Sequence, residues 1–249
     1  MTRLRSLLIG GIAFACGGIA VGSLSQDRTA PTHFAFADDF EKGLCVGRCR
    51  GARWAILQQE DGSADVVAAP DRPGRVLRAM AAAKRDRVTK ADLVARTAPM
   101  TEGTAVSIAF DLYVPKATPL NSIQLVDLEC ATCGEGGNPG IRLYLRNGRL
   151  RIDRSKIGIA DAWVRDDAPT LTHDRWHHIG LTVRIGADHD GGARVLLDGE
   201  EVLAARGATI MKLLRRHIDR VQIGATANSN PVPVTLYFDN VSVSAAPSR

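Results

Sequence analysis

The sequence predicts an all-β fold in which two antiparallel sheets pack as a jelly-roll sandwich. In residues 106–114 and 179–185 every second side chain is a large apolar one, and a period of two is typical of a strand with one buried face. Asn147-Gly148 and Asp198-Gly199 each separate two such runs. These dipeptides favour two-residue hairpin turns, because both positions tolerate positive φ. Many short strands separated by turn residues are typical of sandwiches.

Each predicted strand is an apolar or alternating run that ends at turn residues. Pro115 ends one strand because proline cannot donate to a ladder, and a glycine-rich loop at 133–140 separates two others. The predicted strands are 36–43, 54–57, 75–78, 90–96, 106–114, 122–129, 141–146, 149–152, 176–185, 194–197, 200–202, 219–225 and 234–243. They form one sandwich over residues 37–247.

Residues 1–25 resemble an export segment, and residues 26–36 a polar linker. Arg3 and Arg5 precede an uncharged apolar run at 7–24, which is about the minimum length of a membrane-spanning helix. Three hypotheses stay open: a cleaved signal peptide, an uncleaved membrane anchor, and a lipoprotein modified at Cys16. All three predict an exported protein in the periplasm, at the cell surface or outside the cell. Contact with a membrane is expected only through residues 1–25, if they are retained.

Composition limits the core and the partners. Hydrophobic residues make up 45% of the chain but aromatic residues only 5%, so we expect an aliphatic, alanine-rich core. The net charge of +5 favours anionic partners. Since no segment has the density of Lys and Arg typical of nucleic-acid-binding arms, we expect no nucleic-acid partner.

Four cysteines form two close pairs, Cys45 with Cys49 and Cys130 with Cys133. In an exported chain an even number of cysteines indicates disulfides, and two local bridges are the simplest assignment. The alternative is one zinc site built from all four thiolates.

The hairpin around Asn147-Gly148 predicts a basic strip on one sheet face. A two-residue turn pairs Arg146 with Arg149, Tyr144 with Arg151 and Arg142 with Asp153. The strip consists of Arg142, Tyr144, Arg146, Arg149 and Arg151. Guanidinium groups bind carboxylate or sulfate in a bidentate manner, and an aromatic ring offers a sugar an apolar platform. This combination favours an anionic polysaccharide, although an exposed sheet face is also often basic merely for solvation.

Four segments carry a family resemblance. WHHIGLTV at 176–183, RVLLDGEEV at 194–202, VQIG at 221–224 and YFDNVSV at 237–243 follow in that order. Together they resemble the concanavalin A-like, laminin-G-like jelly-roll superfamily over most of residues 36–244. YFDNVSV and the opening ADDFE at 37–41 look like its polysaccharide-lyase, heparin-lyase-like branch.

The resemblance implies neighbouring first and last strands, which would bring Asp38 and Asp39 near Asp239 and Asn240. A structural calcium ion between Asp39 and Asp239 is one hypothesis; the acidic loop at 188–192 is an alternative calcium site. No other cofactor is expected.

Catalytic motifs of the superfamily are incomplete. Related glucanases carry E-x-D-x-x-E, whereas this chain has Gln124, Asp127 and Glu129 and so lacks the first carboxylate. Related alginate lyases carry Gln-x-His, and here Gln124 is followed by Leu-Val. If the chain is a lyase, Gln124 and Arg142 would neutralise a uronate carboxylate, with Tyr144 or His178 as base or acid.

The sequence therefore predicts an exported, non-catalytic binder of an anionic polysaccharide through Arg142, Tyr144, Arg146, Arg149, Arg151 and Gln124. Two alternatives stay open. One is a polysaccharide lyase that acts by β-elimination on a uronate polymer, and the other is a structural or adhesive envelope protein.

Overall fold

The structure, a computed structural model, describes residues 34–134, 137–212 and 217–247 of the 249-residue chain. The predicted export segment and residues 26–33 of the predicted linker lie outside these ranges. Residues 34–36, also assigned to the linker, belong to the first strand. Within the described ranges no helix has the length and apolar character needed to cross a membrane.

Fourteen strands and one short 3₁₀ turn make up the described fold. The strands are β1 (Phe34–Asp38), β2 (Ile56–Glu60), β3 (Gly62–Ala68), β4 (Arg75–Ala81), β5 (Thr89–Thr101), β6 (Thr104–Tyr113), β7 (Ile123–Glu129), β8 (Gly140–Arg146), β9 (Arg149–Asp153), β10 (Trp176–Arg184), β11 (Gly192–Leu197), β12 (Glu200–Arg206), β13 (His217–Asn228) and β14 (Val234–Pro247). The 3₁₀ turn is Ser155–Ile157.

Two antiparallel sheets form the predicted sandwich. The six-stranded sheet has the order β2-β5-β13-β7-β8-β9, and the larger sheet runs β12-β11-β10-β6-β14-β4-β3. β1 completes the larger sheet by pairing with β14, so that Asp38 lies opposite Val241. The first and last strands are therefore neighbours, as the resemblance implied.

Apolar side chains from the facing sides of both sheets fill a single core. Its side chains are mainly aliphatic and alanine, as the low aromatic content predicted. Phe110 and Phe238 form its central aromatic pair, with ring centroids 5.5 Å apart. Burying each leucine- or isoleucine-sized side chain contributes about 1.5–3 kcal/mol, so the alternation of apolar residues determines which face of each strand turns inward.

Several strand bounds differ from the sequence prediction. β3 was missed because its run, GSADVVA, alternates weakly. β5 extends through Pro99 to Thr101 rather than ending at Arg96, and β2 begins only at Ile56. Trp54, predicted to start β2, is instead a fully buried anchor whose indole N–H donates to the Asp38 carboxylate at 2.8 Å.

Both cysteine pairs form disulfides, Cys45 with Cys49 and Cys130 with Cys133. The simplest sequence assignment is confirmed. The alternative zinc site from four thiolates is wrong for this structure, because each sulfur is already bonded within its own local pair.

Both predicted hairpin turns are present, and their central residues have backbone angles in the left-handed region. φ is 53° and 73° at Asn147 and Gly148, and 52° and 86° at Asp198 and Gly199. The two glycines differ in their surroundings. A Cβ on Gly148 would lie 3.0 Å from Cβ of Thr170, whereas a Cβ on Gly199 would meet nothing within 4 Å.

This difference makes the two turns a matched pair for mutation. We expect Gly199→Ala to lower the free energy of unfolding by about 1 kcal/mol, the cost of placing alanine at positive φ. Gly148→Ala should cost more, because Thr170 must also move. Urea denaturation of both variants measures this, and equal costs would contradict the proposed crowding at Gly148.

Candidate functional site

The predicted strip lies on the outer face of the six-stranded sheet. The register of β8 and β9 pairs Arg142 with Asp153, Tyr144 with Arg151, and Arg146 with Arg149, as the turn length predicted. The intervening side chains are buried in the core: Ile141, Leu143, Leu145, Leu150 and Ile152. We call Arg142, Tyr144, Arg146, Arg149 and Arg151 the arginine–tyrosine strip.

Gln124 joins this strip from the neighbouring strand. It lies opposite Tyr144 in the β7–β8 register, and a register shift follows it between Gln124 and Val126. This β-bulge leaves both Leu125 and Val126 in the core, and it returns Asp127 to the outer face opposite Arg142. The structure therefore brings Gln124, Arg142 and Tyr144 together, as the lyase hypothesis required.

The strip retains donors for a ligand. Arg142 is half-buried and forms an ion pair with Asp153 at 3.4 Å. Among the described residues, the Nε atoms of Arg142, Arg149 and Arg151 have no hydrogen-bond partner. These Nε atoms are buried, so the donors that a ligand can reach are the outer guanidinium nitrogens of Arg146, which is exposed, and of Arg149 and Arg151, which are partly exposed.

Beside the strip lie three buried carboxylic acids, which we call the acid cluster: Asp92 on β5, and Asp127 and Glu129 on β7. All three are at most 2% exposed. Asp127 accepts a hydrogen bond from the Thr226 hydroxyl at 2.9 Å. Asp92 differs, because neither of its carboxylate oxygens has a hydrogen-bond partner among the described residues.

Burial and mutual repulsion raise the proton affinity of two of these acids. Desolvation, followed by repulsion from Asp127, raises the pKa of Asp92 to about 8. Desolvation and repulsion from Glu129 also raise the pKa of Asp127 above its usual range. Removing a carboxylate from water disfavours its charged form, so Asp92 is largely protonated at neutral pH.

Glu129 is surrounded by donors instead. The Lys156 ammonium forms an ion pair with Oε1, and the Gln222 side-chain amide donates to Oε2 at 2.7 Å. Arg220 Nε lies 3.8 Å from the same Oε2. Arg220 in turn donates to the Gln58 side chain at 3.1 Å. These contacts extend a polar row across the sheet from β2 to the 3₁₀ turn.

Sequence reasoning found only part of this row. Asp127 and Glu129 were noticed as remnants of a glucanase motif, but Asp92 was missed. Its signal was the alternation in β5, which places Asp92 between the buried Ala91 and Leu93 and so opposite the core. Its proximity to Asp127 depends on both strands pairing with β13, which sequence spacing does not reveal.

The structure corrects the placement of His178, which was grouped with Gln124, Arg142 and Tyr144. His178 belongs to β10 of the larger sheet, and its ring lies 2.9 Å from the Asp111 carboxylate on that sheet's outer face. The core separates this face from the strip. Alternation correctly predicted an outward side chain, but it did not show which sheet the strand joins.

The residues of the calcium hypotheses have protein partners. Asp239 bonds to the Arg72 guanidinium at 2.5 Å, Asp39 accepts from the Glu41 backbone at 3.2 Å, and Asp188 pairs with Lys212. Both calcium sites stay predictions.

Comparison with known proteins identifies the family. A family model described as "Polysaccharide lyase" matches residues 46–242. Among curated proteins, none is significantly similar to the sequence.

Solved structures share the architecture. The endo-β-1,4-glucuronan lyase from the fungus Trichoderma reesei superposes with a TM-score of 0.64 at 16% identity, over 84% of this chain and 94% of that chain. The cellulose-induced protein Cip1 gives a TM-score of 0.56 at 14% identity, over 84% and 96%. A variant of the alginate lyase Aly36B, bound to an alginate trisaccharide, gives 0.51 at 12% identity, over 86% and 98%.

At these identities the structural likeness shows a shared concanavalin A-like sandwich. Since the family model spans most of the chain, this protein belongs to the polysaccharide lyase family.

Proposed function

We propose that the protein binds an anionic polysaccharide, rich in uronate, along the outer face of the six-stranded sheet and without cleaving it. The observation that carries this proposal is the arginine–tyrosine strip, four arginines around one tyrosine on a single face beside Gln124. Guanidinium groups recognise carboxylates through paired, charge-assisted hydrogen bonds. The phenol ring of Tyr144 supplies an apolar platform between them.

The state of the acid cluster supports an attractive potential on this face. Asp92 is largely protonated at neutral pH, because its pKa is raised to about 8, and Glu129 is neutralised locally by Lys156. Asp153 is partnered by Arg142. Asp127, the third acid of the cluster, lies opposite Arg142. The acids beside the strip are therefore protonated or face Lys156 or Arg142, which leaves the charge of Arg146, Arg149 and Arg151 to attract a polyanion.

The named substrates of similar proteins agree with this ligand class. One similar structure is a glucuronan lyase and another is an alginate lyase with a bound alginate trisaccharide. Both polymers are chains of uronate sugars. Membership of the polysaccharide lyase family supports a polysaccharide ligand, and the basic strip favours an anionic one.

A second candidate function is β-elimination on the same polymer, favoured by the position of Tyr144. Its neighbours across the sheet are Gln124 and Arg151. Elimination needs a group that neutralises the uronate carboxylate, a base for the C5 proton and an acid for the leaving oxygen. Gln124 and Arg142 suit the first role.

Proton transfer would then depend on Tyr144 alone. His217 is the one histidine on the described part of the six-stranded sheet, and its ring contacts Thr132 and Asp219 at the start of β13. Loss of the Gln-x-His pattern at Gln124 removes the other expected base. This is why we favour binding without cleavage.

Charge reversal on the strip tests binding. We expect Arg146→Glu combined with Arg151→Glu to weaken the affinity for polyglucuronate or alginate by at least about tenfold, since a hydrogen bond to a charged group contributes about 1.5–3 kcal/mol. Affinity electrophoresis or calorimetry measures this. The matched control is Arg184→Glu, an exposed position on the larger sheet. Unchanged affinity in the strip variant, with the fold intact, contradicts the proposal.

Incubation with the same polymers distinguishes binding from cleavage. Elimination creates a conjugated double bond, so it is followed as a rise in ultraviolet absorbance. We expect no rise with the wild-type protein over a panel of uronate polymers. If absorbance does rise and Tyr144→Phe abolishes the rise while retaining binding, the elimination function replaces the binding function.

The buried proton on Asp92 predicts an unusual pH dependence of stability. An aspartate has a pKa of about 3.9 when unfolded, and burial raises that of Asp92 to about 8. Between these values the folded state holds the extra proton, so the contribution of Asp92 to the free energy of unfolding falls as pH rises from about 4 to 8. We expect the free energy of unfolding of Asp92→Asn to exceed that of wild type by a difference that grows with pH over this range, up to a few kcal/mol.

Chemical denaturation at several pH values measures this effect, with Asp166→Asn in an exposed turn as the control. A stability difference between Asp92→Asn and wild type that does not grow with pH would show that Asp92 is ionised in the folded protein.

A further inference from the structure

A second group of chemically reactive side chains lies where β7 ends, outside the strip and the acid cluster. Cys130 and Cys133 are joined in a disulfide, and the His217 ring at the start of β13 faces them. His217 Nε2 lies 3.3 Å from Cys130 Sγ. The two sulfurs and one ring nitrogen of His217 all lie within 4.8 Å of one another.

Asp219 lies beside this group, although its carboxylate oxygens are not among the atoms that lie within 4.8 Å of one another. Its Oδ2 lies 3.3 Å from His217 Nε2, and the residue is 7% exposed. The carboxylate also accepts hydrogen bonds from the Ala131 backbone at 2.7 Å and from the Thr132 hydroxyl. The loop that follows β7 therefore contacts β13 in two places. Cys130 contacts His217, and the residues after Cys130 donate to Asp219.

We propose that reduction of the Cys130–Cys133 disulfide converts this group into a zinc site with Cys130, Cys133 and His217 as ligands, and that the neighbouring Asp219 carboxylate moves toward the sulfurs to become the fourth. Two thiolates, one imidazole and one carboxylate are all ordinary ligands of tetrahedral Zn²⁺. The C-x-x-C spacing is also that of structural zinc sites.

Two of the ligand distances already suit a tetrahedral site. With Zn–S of about 2.3 Å and Zn–N or Zn–O of about 2.0–2.2 Å, adjacent ligands in a tetrahedron lie about 3.4–3.6 Å apart. The distances from His217 Nε2 to Cys130 Sγ and to Asp219 Oδ2 are both 3.3 Å. After reduction the two sulfurs need only separate to about 3.8 Å, the edge expected between two thiolates on one zinc ion.

The conversion is balanced in two steps. A dithiol reductant gives two electrons and two protons to the disulfide; its own sulfurs become a disulfide, and Cys130 and Cys133 become thiols. Zn²⁺ then binds both sulfurs, and the two thiol protons pass to solvent. Zinc itself is neither oxidised nor reduced.

The two states hold the same parts of the fold together. Cys130 directly follows Glu129 of the acid cluster, and Asp219 directly precedes Arg220, which faces Glu129. In the oxidised state a covalent bond closes the loop after β7. In the reduced state the metal would close the same loop and additionally bond it to β13.

Cobalt binding tests the site in a variant with a single cysteine pair within residues 34–247, Cys45→Ser with Cys49→Ser. The protein is reduced with a phosphine, because a dithiol would itself bind the metal, and titrated with Co²⁺. We expect one equivalent to give the intense visible bands of tetrahedral cobalt and near-ultraviolet thiolate-to-cobalt charge transfer. Zn²⁺ should displace it, and the unreduced variant should give neither band.

Two further variants locate the ligands. Cys130→Ser with Cys133→Ser, in which Cys45 and Cys49 remain, should lose both signals. His217→Gln should weaken Co²⁺ binding at least about tenfold, the lower end of what even an outer-shell partner contributes. Weak octahedral bands, an unchanged spectrum in either of these variants, or unfolding of the reduced protein in the presence of stoichiometric zinc would each overturn the proposal. Circular dichroism of every sample reports the fold.

Discussion

The packing of two apolar sheet faces against each other is the constraint on which the rest of the structure depends. Each strand of this sandwich places alternate side chains in the core, so burying Leu143 and Leu145 forces Arg142, Tyr144 and Arg146 outward. The free energy gained by burying the inner faces of the sheets therefore also determines which side chains lie on the outer faces. A one-residue slip in register would bury charged side chains and expose leucine, which is why the strip is firmly specified.

The acid cluster shows a cost that the fold tolerates. Asp92 is completely buried, and among the described residues its carboxylate has no hydrogen-bond partner. Burial of an unpaired charge is so unfavourable that the group takes up a proton instead. A neutral carboxyl needs no counter-charge, so the proton removes most of the cost of placing Asp92 beneath the sheet surface.

The two candidate functions use one surface and differ in a single capacity, the transfer of a proton. Binding needs the arginines, the Tyr144 ring and a surface whose acids are protonated or paired. Elimination needs the same contacts and a base aligned with the C5 proton. In this chain the second position after Gln124, where the Gln-x-His pattern has its histidine, is occupied by Val126. The β-bulge turns the Val126 side chain into the core. The fold thus preserves the binding surface while leaving proton transfer to Tyr144.

The sequence by itself determined the elements whose information is local. Alternation and the two turn dipeptides predicted the all-β class, both hairpins and the pairing of Tyr144 with Arg151, because a two-residue turn fixes the register without help from the rest of the chain. The tertiary structure alone decided which strands share a sheet. It placed His178 on the opposite face from Tyr144, and it brought Asp92 beside Asp127 and His217 beside Cys130. These relations depend on pairings between strands far apart in sequence, which arise when the whole apolar surface is buried at once.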